Sequence, residues 1–236
     1  DRPLCAALLT QPYNLIIADT ACEEAIQALV AGVRDKAVDV PGVIGNQPTV
    51  DNFVQQWRKT TGETCTLEMA QGVFALDRVV ASPPASGSAR LAMPDDAELI
   101  ERWVNEFMAE ALPNEPSDDE RLRRSVERGL SGSSPHGYWL WEDGERPVSM
   151  SGHGSPTGTG IRIGAVYTPK PERRNGYAGA LVAAQSQWLL DEGYRFCFLF
   201  TDLSNPTSNA IYERIGYRQV AEAASYSFGP SANPAT

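Results

Sequence analysis

Apolar residues along this chain follow two rhythms. Short continuous or alternating runs mark strands, and residues spaced three and four apart mark helices. Over the first 85 residues the pattern predicts a strand at 14–18, then a helix at 23–31 with Ala25, Leu29 and Val33 along its apolar edge. A second helix carries Phe53 and Trp57, with Thr49 or Asp51 as its cap. Pro41-Gly42-Val43-Ile44-Gly45 reads as a loop, and 67–70 and 73–79 as two strands around Gln71-Gly72.

Ser82-Pro83-Pro84-Ala85-Ser86-Gly87-Ser88 is rich in proline, glycine and serine and marks a linker. Beyond it the pattern predicts a strand at 89–92 and a helix at 96–111, with Leu99, Trp103 and Phe107 at helical spacing, ended by Pro113 and Pro116. A helix at 118–130 opens on Asp118-Asp119-Glu120 and turns basic later, as the helix dipole favours. Strands at 138–141, 148–152 and 161–167 follow. Next come a glycine-containing loop, a helix at 177–192, a strand at 196–201 and a helix at 206–215 stopped by Gly216. Strands near 217–220 and 226–228 close the chain. In this pattern both sides of the linker share an order of strand, helix, helix, strand, strand. The expected organisation is therefore a smaller α/β domain over 1–85, in which a degenerate copy of the second is one reading, and a larger mixed α/β domain over 86–236.

Composition narrows the function classes. Apolar residues at 42% and charged residues at 21% suit a globular chain with a sizeable core. The net charge is −10, and both sides of the linker are acidic, so neither a nucleic acid nor an anionic membrane is the expected partner. No apolar run reaches the roughly 18 residues of a membrane span. Cys5, Cys22, Cys65 and Cys197 are scattered without CxxC or histidine partners, which predicts no metal site, no disulfide framework and a cytoplasmic setting.

The chemistry concentrates in Val166-Tyr167-Thr168-Pro169-Lys170-Pro171-Glu172-Arg173-Arg174-Asn175-Gly176-Tyr177-Ala178. A strand runs through a basic loop into a helix whose entrance holds Gly176, Ala178, Gly179 and Ala180. Such an entrance points unpaired backbone N–H groups and the positive end of the helix dipole at one spot, which suits a pyrophosphate. The pattern is neither GxGxxG nor GxxxxGK[ST], so a dinucleotide fold and a P-loop are both excluded. Downstream, Asn205, Ser208 and Tyr212 share one face of the helix at 206–215.

Arg173-x-x-Gly176-x-Ala178, followed by Asn205-x-x-Ser208-x-x-x-Tyr212-x-x-x-Gly216-Tyr217, resembles the Gcn5-related N-acetyltransferase (GNAT) family over roughly residues 89–228. The departures are minor: Arg174 and Asn175 in the loop, and Ser208 where alanine is frequent. The resemblance implies the GNAT acyl-CoA N-acyltransferase fold, acetyl-CoA as cosubstrate without a metal, and an amine acceptor on a small molecule or peptide. It implies that Ala165, Val166 and Tyr167 bond the pantetheine arm and polarise the thioester. Arg173, Arg174, Asn175, Gly176, Tyr177 and Ala178 hold the pyrophosphate, Asn205 positions the arm, and Tyr212 protonates the departing thiolate. The base that deprotonates the amine stays open among Glu110, Glu142, Asp143, His153 and Asp202, and Trp103, Phe107, Trp139 and Trp141 line either an acceptor pocket or the core. A non-catalytic acyl-CoA-binding regulatory module is the alternative.

Overall fold

In a computed structural model of the chain, the described residues are 3–36, 38–81, 83–112, 118–132 and 135–231. Pro113 and Pro116, expected to end a helix, and Ser82 of the linker lie outside them. The described residues form ten strands and six helices in a mixed α/β arrangement, divided into two compact units.

The first unit comprises 1–73, 202–204 and 220–236. Its elements are β1 (Ala7–Leu8), β2 (Leu15–Ile17), α1 (Glu23–Asp35), β3 (Gly42–Asn46), α2 (Thr49–Thr61), most of β4 (Glu63–Leu76) and most of β10 (Arg218–Ser231), in the sheet order β1-β2-β3-β10-β4. Phe53, Trp57, Val43, Ile26 and Ala224 form its core, with Phe53, Trp57 and Phe228 stacked in series. Two expectations change here. The segment read as a loop at 41–45 is strand β3, parallel to β2 and antiparallel to β10. Its glycines serve close approach: a Cβ on Gly42 would stand 2.1 Å from the Tyr226 carbonyl oxygen. The two strands expected around Gln71-Gly72 are one 14-residue strand, β4, and the two expected at 217–228 are one 14-residue strand, β10. Because β3 separates α1 from α2, the element order of the two sides does not repeat.

The second unit comprises 74–201 and 205–219, so the compact units follow a different line from the expected break at residue 85. Its elements are β5 (Ser88–Leu91), α3 (Ala97–Ala111), α4 (Asp119–Leu130), β6 (Gly137–Asp143), β7 (Arg146–Gly154), β8 (Gly160–Tyr167), α5 (Tyr177–Asp191), β9 (Phe196–Asp202) and α6 (Pro206–Ile215). The sheet runs β9-β8-β7-β6-β5, with β8 and β9 parallel and the other pairs antiparallel. Helices α3 and α4 cover one face through Ile100, Trp103, Val126, Leu140 and Met150. Helices α5 and α6 cover the other, where Val182, Leu189 and Ile215 meet Ile161, Ile163 and Leu199. Leu140 and Leu181 are fully enclosed, and truncating either to alanine is a change that costs about 2–5 kcal/mol in such cores.

The predicted linker is docked rather than free. Val80 N–H donates to the Ile215 carbonyl at 2.8 Å, a Cβ on Gly179 would meet the Pro83 ring at 2.9 Å, and Trp141 Nε1 donates to the Ser86 carbonyl at 2.7 Å. The segment thereby crosses from the end of α6 past α5 to β6.

Candidate active site

The site begins with an irregularity in β8. Met150 pairs with Tyr167 and Gly152 with Gly164, so two steps on β7 oppose three on β8. The extra residue is a β-bulge, and Ala165 takes the left-handed conformation, φ 49°, to make it. Before the bulge Ile161 and Ile163 face α5 and α6; after it Val166 takes that face, while Ala165 and Tyr167 turn toward α3. On the other edge, β8 pairs with β9 from Gly160–Phe196 to Arg162–Phe198 and no further among the described residues. Two parallel strands that pair only at their beginnings open a wedge, and backbone groups of β8 beyond Arg162 have no ladder partner on that side. Ser149 Oγ anchors the strand end by donating to the Tyr167 carbonyl at 3.0 Å.

The strand leads into the loop 168–176. Arg173 holds this loop together: its Nε donates to the Thr168 carbonyl at 2.9 Å, its Nη2 to Glu110 at 2.6 Å, and it lies over the Tyr167 ring. Asn175 Nδ2 donates to the Glu172 carbonyl at 3.1 Å. Arg174 at φ 69° and Gly176 at φ 83° both adopt left-handed conformations. This turn aims the chain into α5, whose first internal bond is Ala180 N–H to the Gly176 carbonyl. The N–H groups of Tyr177, Ala178 and Gly179 precede that bond and have no acceptor within the helix. Gly176 is required twice, by its φ and because a Cβ there would stand 2.8 Å from the Pro84 carbonyl oxygen. Arg174 is exposed and Tyr177 is buried, its hydroxyl donating to Asp143 at 2.5 Å. The loop thus offers the positive end of a helix that has no side-chain cap, with an arginine beside it.

Helix α6 follows β9 on the same face as α5. Asn205 is its N-cap, with Oδ1 accepting from Ser208 N–H at 3.1 Å, and Thr201 Oγ1 donates to Asn209 at 2.9 Å, locking the helix start to the end of β9. Asn209 was not anticipated. Tyr212 packs against the α5–α6 face and lies edge-on to Tyr217 with ring centroids 6.0 Å apart. The hydroxyl of Tyr217 is committed to Ser186 at 2.8 Å, whereas that of Tyr212 has no hydrogen-bond partner among the described residues. Burial pushes the Tyr212 phenol up to about 12, so it stays protonated throughout the neutral range.

Among the candidate bases, four are tied to other work. Glu110 pairs with Arg173, Glu142 with Arg90 at 2.7 Å, Asp143 with Tyr177 and Ser86, and Asp202 Oδ1 accepts from Ser204 N–H at 2.7 Å. His153 lies on the α5 face, where its Nδ1 meets Gln185 Nε2 at 3.2 Å and its ring packs on Trp188. Burial, and then the nearby His136, lower its pKa to about 4. Trp103, Trp139 and Trp141 are core residues, 5%, 7% and 7% exposed, and Phe107 packs on the core around Trp103. The carboxylate the sequence did not single out is Glu106 of α3, which accepts from the Tyr167 hydroxyl at 2.8 Å. Its signal was its place between Trp103 and Glu110 on one helical face. Burial first, and Glu106 second, push the Tyr167 phenol up to about 12.

A surface cavity of about 580 Å³, lined by Arg34, Trp57, Glu63 and Phe228 among others, belongs wholly to the first unit and contains none of the motif residues. Among the described residues no group of three or more His, Cys, Asp or Glu is placed to hold a metal, and no helix is long and apolar enough to cross a membrane.

The sequence model of the acetyltransferase (GNAT) family matches residues 98–217, which take in the bulged strand, the loop, α5 and α6. This chain belongs to the GNAT acetyltransferase family. Among solved structures similar to it, a GCN5-related N-acetyltransferase from Kribbella flavida is 16% identical and covers 97% of this chain and 88% of its own, with a TM-score of 0.69. One from Sphaerobacter thermophilus is 18% identical over 94% of this chain and 75% of its own, at a TM-score of 0.64. A GNAT-family acetyltransferase from Novosphingobium aromaticivorans is 17% identical over 93% of this chain and 86% of its own, at 0.57. At these identities the likeness is one of fold. No protein of curated function matches the chain. As a GNAT acetyltransferase the protein is an acyltransferase.

Proposed function

We propose that this GNAT protein transfers acetyl from acetyl-CoA to a primary amine of a small molecule or peptide by direct attack. The observation that carries this reading is the bulge at Ala165 beside the open wedge, continuous with the uncapped N-terminus of α5. The N–H groups of Gly176, Tyr177 and Ala178, with the charge of Arg174, would hold the pyrophosphate. Arg173 would frame that loop rather than touch the phosphates, because its guanidinium already serves Thr168 and Glu110. The backbone of Ala165, Val166 and Tyr167 on the side facing β9 would bond the pantetheine arm and polarise the thioester carbonyl, and Asn205 would steady the arm from α6.

The amine nitrogen forms a bond to the acetyl carbon as the carbon–sulfur bond breaks. The amine's proton passes to Glu106, directly or by water, and Tyr212 gives its proton to the departing thiolate, leaving coenzyme A as the free thiol. A protonated, unengaged phenol at Tyr212 supports a catalytic site over a purely regulatory coenzyme-binding module. No enzyme nucleophile is needed, and Cys197, fully buried with its pKa pushed up to about 12 by burial, is no candidate for one.

Thermal unfolding with and without acetyl-CoA tests the proposal, alongside free-thiol release with a panel of primary amines. The coenzyme should raise the midpoint, by about 2.7 kcal/mol of linkage at a hundredfold excess over its dissociation constant. Arg174→Glu should weaken that response, because it reverses an exposed charge at the loop. Tyr212→Phe should keep the shift yet lose roughly 10²-fold or more in turnover. A protein whose midpoint ignores millimolar acetyl-CoA would not be the enzyme described here.

A further inference from the structure

The face of the wedge turned toward α3 holds a charge that the fold itself does not use. Strand alternation sends Ile161 and Ile163 into the core beneath α5 and α6, and sends Arg162 and Gly164 to the opposite face. The guanidinium carbon of Arg162 stands 5.0 Å from the centroid of the Phe200 ring on β9. Its Nε and Nη2 lie 3.8 and 4.0 Å from the point a Cβ on Gly164 would occupy, and among the described residues no other heavy atom beyond Gly164 and its chain neighbours lies within 4 Å of that point. The side chain therefore runs along β8 toward the bulge, over a residue that leaves the space open. Phe200 fixes one face of the planar guanidinium, so its N–H edge is oriented before any ligand arrives.

Three other arginines of this unit are paired with carboxylates: Arg90 with Asp96 and Glu142, Arg146 with Glu172, and Arg173 with Glu110. Arg162 has no carboxylate within ion-pair reach among the described residues. It is exposed to solvent, yet the surrounding protein desolvates it enough to lower its pKa, though never far enough to discharge a guanidinium near neutrality. On the same face, past the bulge, sit Tyr167 and Glu106, the one candidate base directly bonded to the strand end.

We propose that the acceptor is an amine that also bears an anionic oxygen group, a carboxylate or a phosphate, which Arg162 binds over Gly164 while the amine points toward the bulge and Glu106. This rests on the acetyl-transfer reading above. Coenzyme would enter the wedge from the α5–α6 side and the acceptor from the α3 side, so nucleophile and thioester meet through the gap between β8 and β9. The same cation disfavours acceptors that carry only positive charge, so amines without an acid group are poor substrates.

The full chain would be assayed for thiol release from acetyl-CoA with matched pairs. Glycine and β-alanine are set against glycinamide and β-alaninamide, and O-phosphoethanolamine against ethanolamine. Acid-bearing amines should be turned over about tenfold or more faster in kcat/KM than their neutral partners, and preference between the carboxylate and phosphate arms identifies which oxyanion is taken. In Arg162→Met that ratio should collapse toward one while the acetyl-CoA thermal shift persists, and in Arg162→Lys a substantial part of the ratio should return. Equal use of acid and neutral amines by the native protein, or a preference that survives Arg162→Met, would overturn the assignment. So would coenzyme binding without acetylation of any acid-bearing amine, an outcome that leaves the coenzyme site standing. Failure to bind acetyl-CoA at all would remove the acetyl-transfer reading and this one with it.

Discussion

Two histidines and two tyrosines show how placement, rather than residue type, sets chemistry in this protein. Tyr217 spends its hydroxyl on Ser186, while Tyr212, five residues earlier, keeps its own unengaged. His153 is half-buried on the α5 face against Gln185 and Trp188, and its pKa falls to about 4 through burial first and His136 second. Unfolding returns it to about 6.5, so the unfolded chain binds more protons between those values. Stability is therefore complete above about pH 6.5 and declines as pH falls toward 4. Urea unfolding at pH 7 and pH 5 should show this loss, and in His153→Gln the difference between the two pH values should shrink. An undiminished difference would assign the slope to other groups.

At the scale of elements, the decisive feature is the bulge in β8. The strand itself was legible as an apolar run, and so were the helix after it and the loop between, because Gly176 and the small residues following it have few other uses. The extra residue was not legible, since Ala165 differs in nothing from an ordinary strand alanine until the register with β7 is known. A β-branched residue is strongly disfavoured at φ 49°, so Ala165→Val should destabilise the protein by about 1–3 kcal/mol and blunt the acetyl-CoA thermal shift. Ala165→Gly, which adopts that conformation freely, should preserve both. Equal behaviour of the two variants would mean that the bulge does not constrain the site. Long strands were also misjudged, for a related reason. Gly72 within β4 and the polar stretch within β10 look like breaks locally, and only partners on either side keep such segments extended.

For the whole molecule, the chain does not divide at its most linker-like segment. Phe74 and Leu76, which precede that segment, are each 2% exposed in the core of the second unit with Ile215 and Tyr217. Residues 220–231, which follow the GNAT motifs, belong to the first unit, where Ala223 to Ser227 pair with β3. Losing a buried phenylalanine and leucine costs about 3–5 and 2–5 kcal/mol, comparable to the roughly 5–15 kcal/mol that a domain has in all. A fragment of residues 86–236 should accordingly melt without a cooperative transition, whereas the full chain should melt cooperatively. Calorimetry of the two decides it; a fragment with a sharp transition and a normal acetyl-CoA response would show that 86–236 is self-sufficient.

The sequence by itself determined the family, the loop between β8 and α5 and the helix carrying Asn205 and Tyr212, because these depend on local backbone needs written as fixed residue spacings. Composition and cysteine spacing pointed away from nucleic-acid and metal chemistry on equally local grounds. Only the tertiary structure decided which charges remain free. Glu110, Glu142 and Asp143 looked available until their partners came from distant strands and loops. Arg162 looked like one basic residue among many until β9 placed Phe200 beneath it and no carboxylate beside it. Spacing along a chain fixes what a backbone can do; the company a side chain keeps is fixed by contacts between residues far apart in sequence.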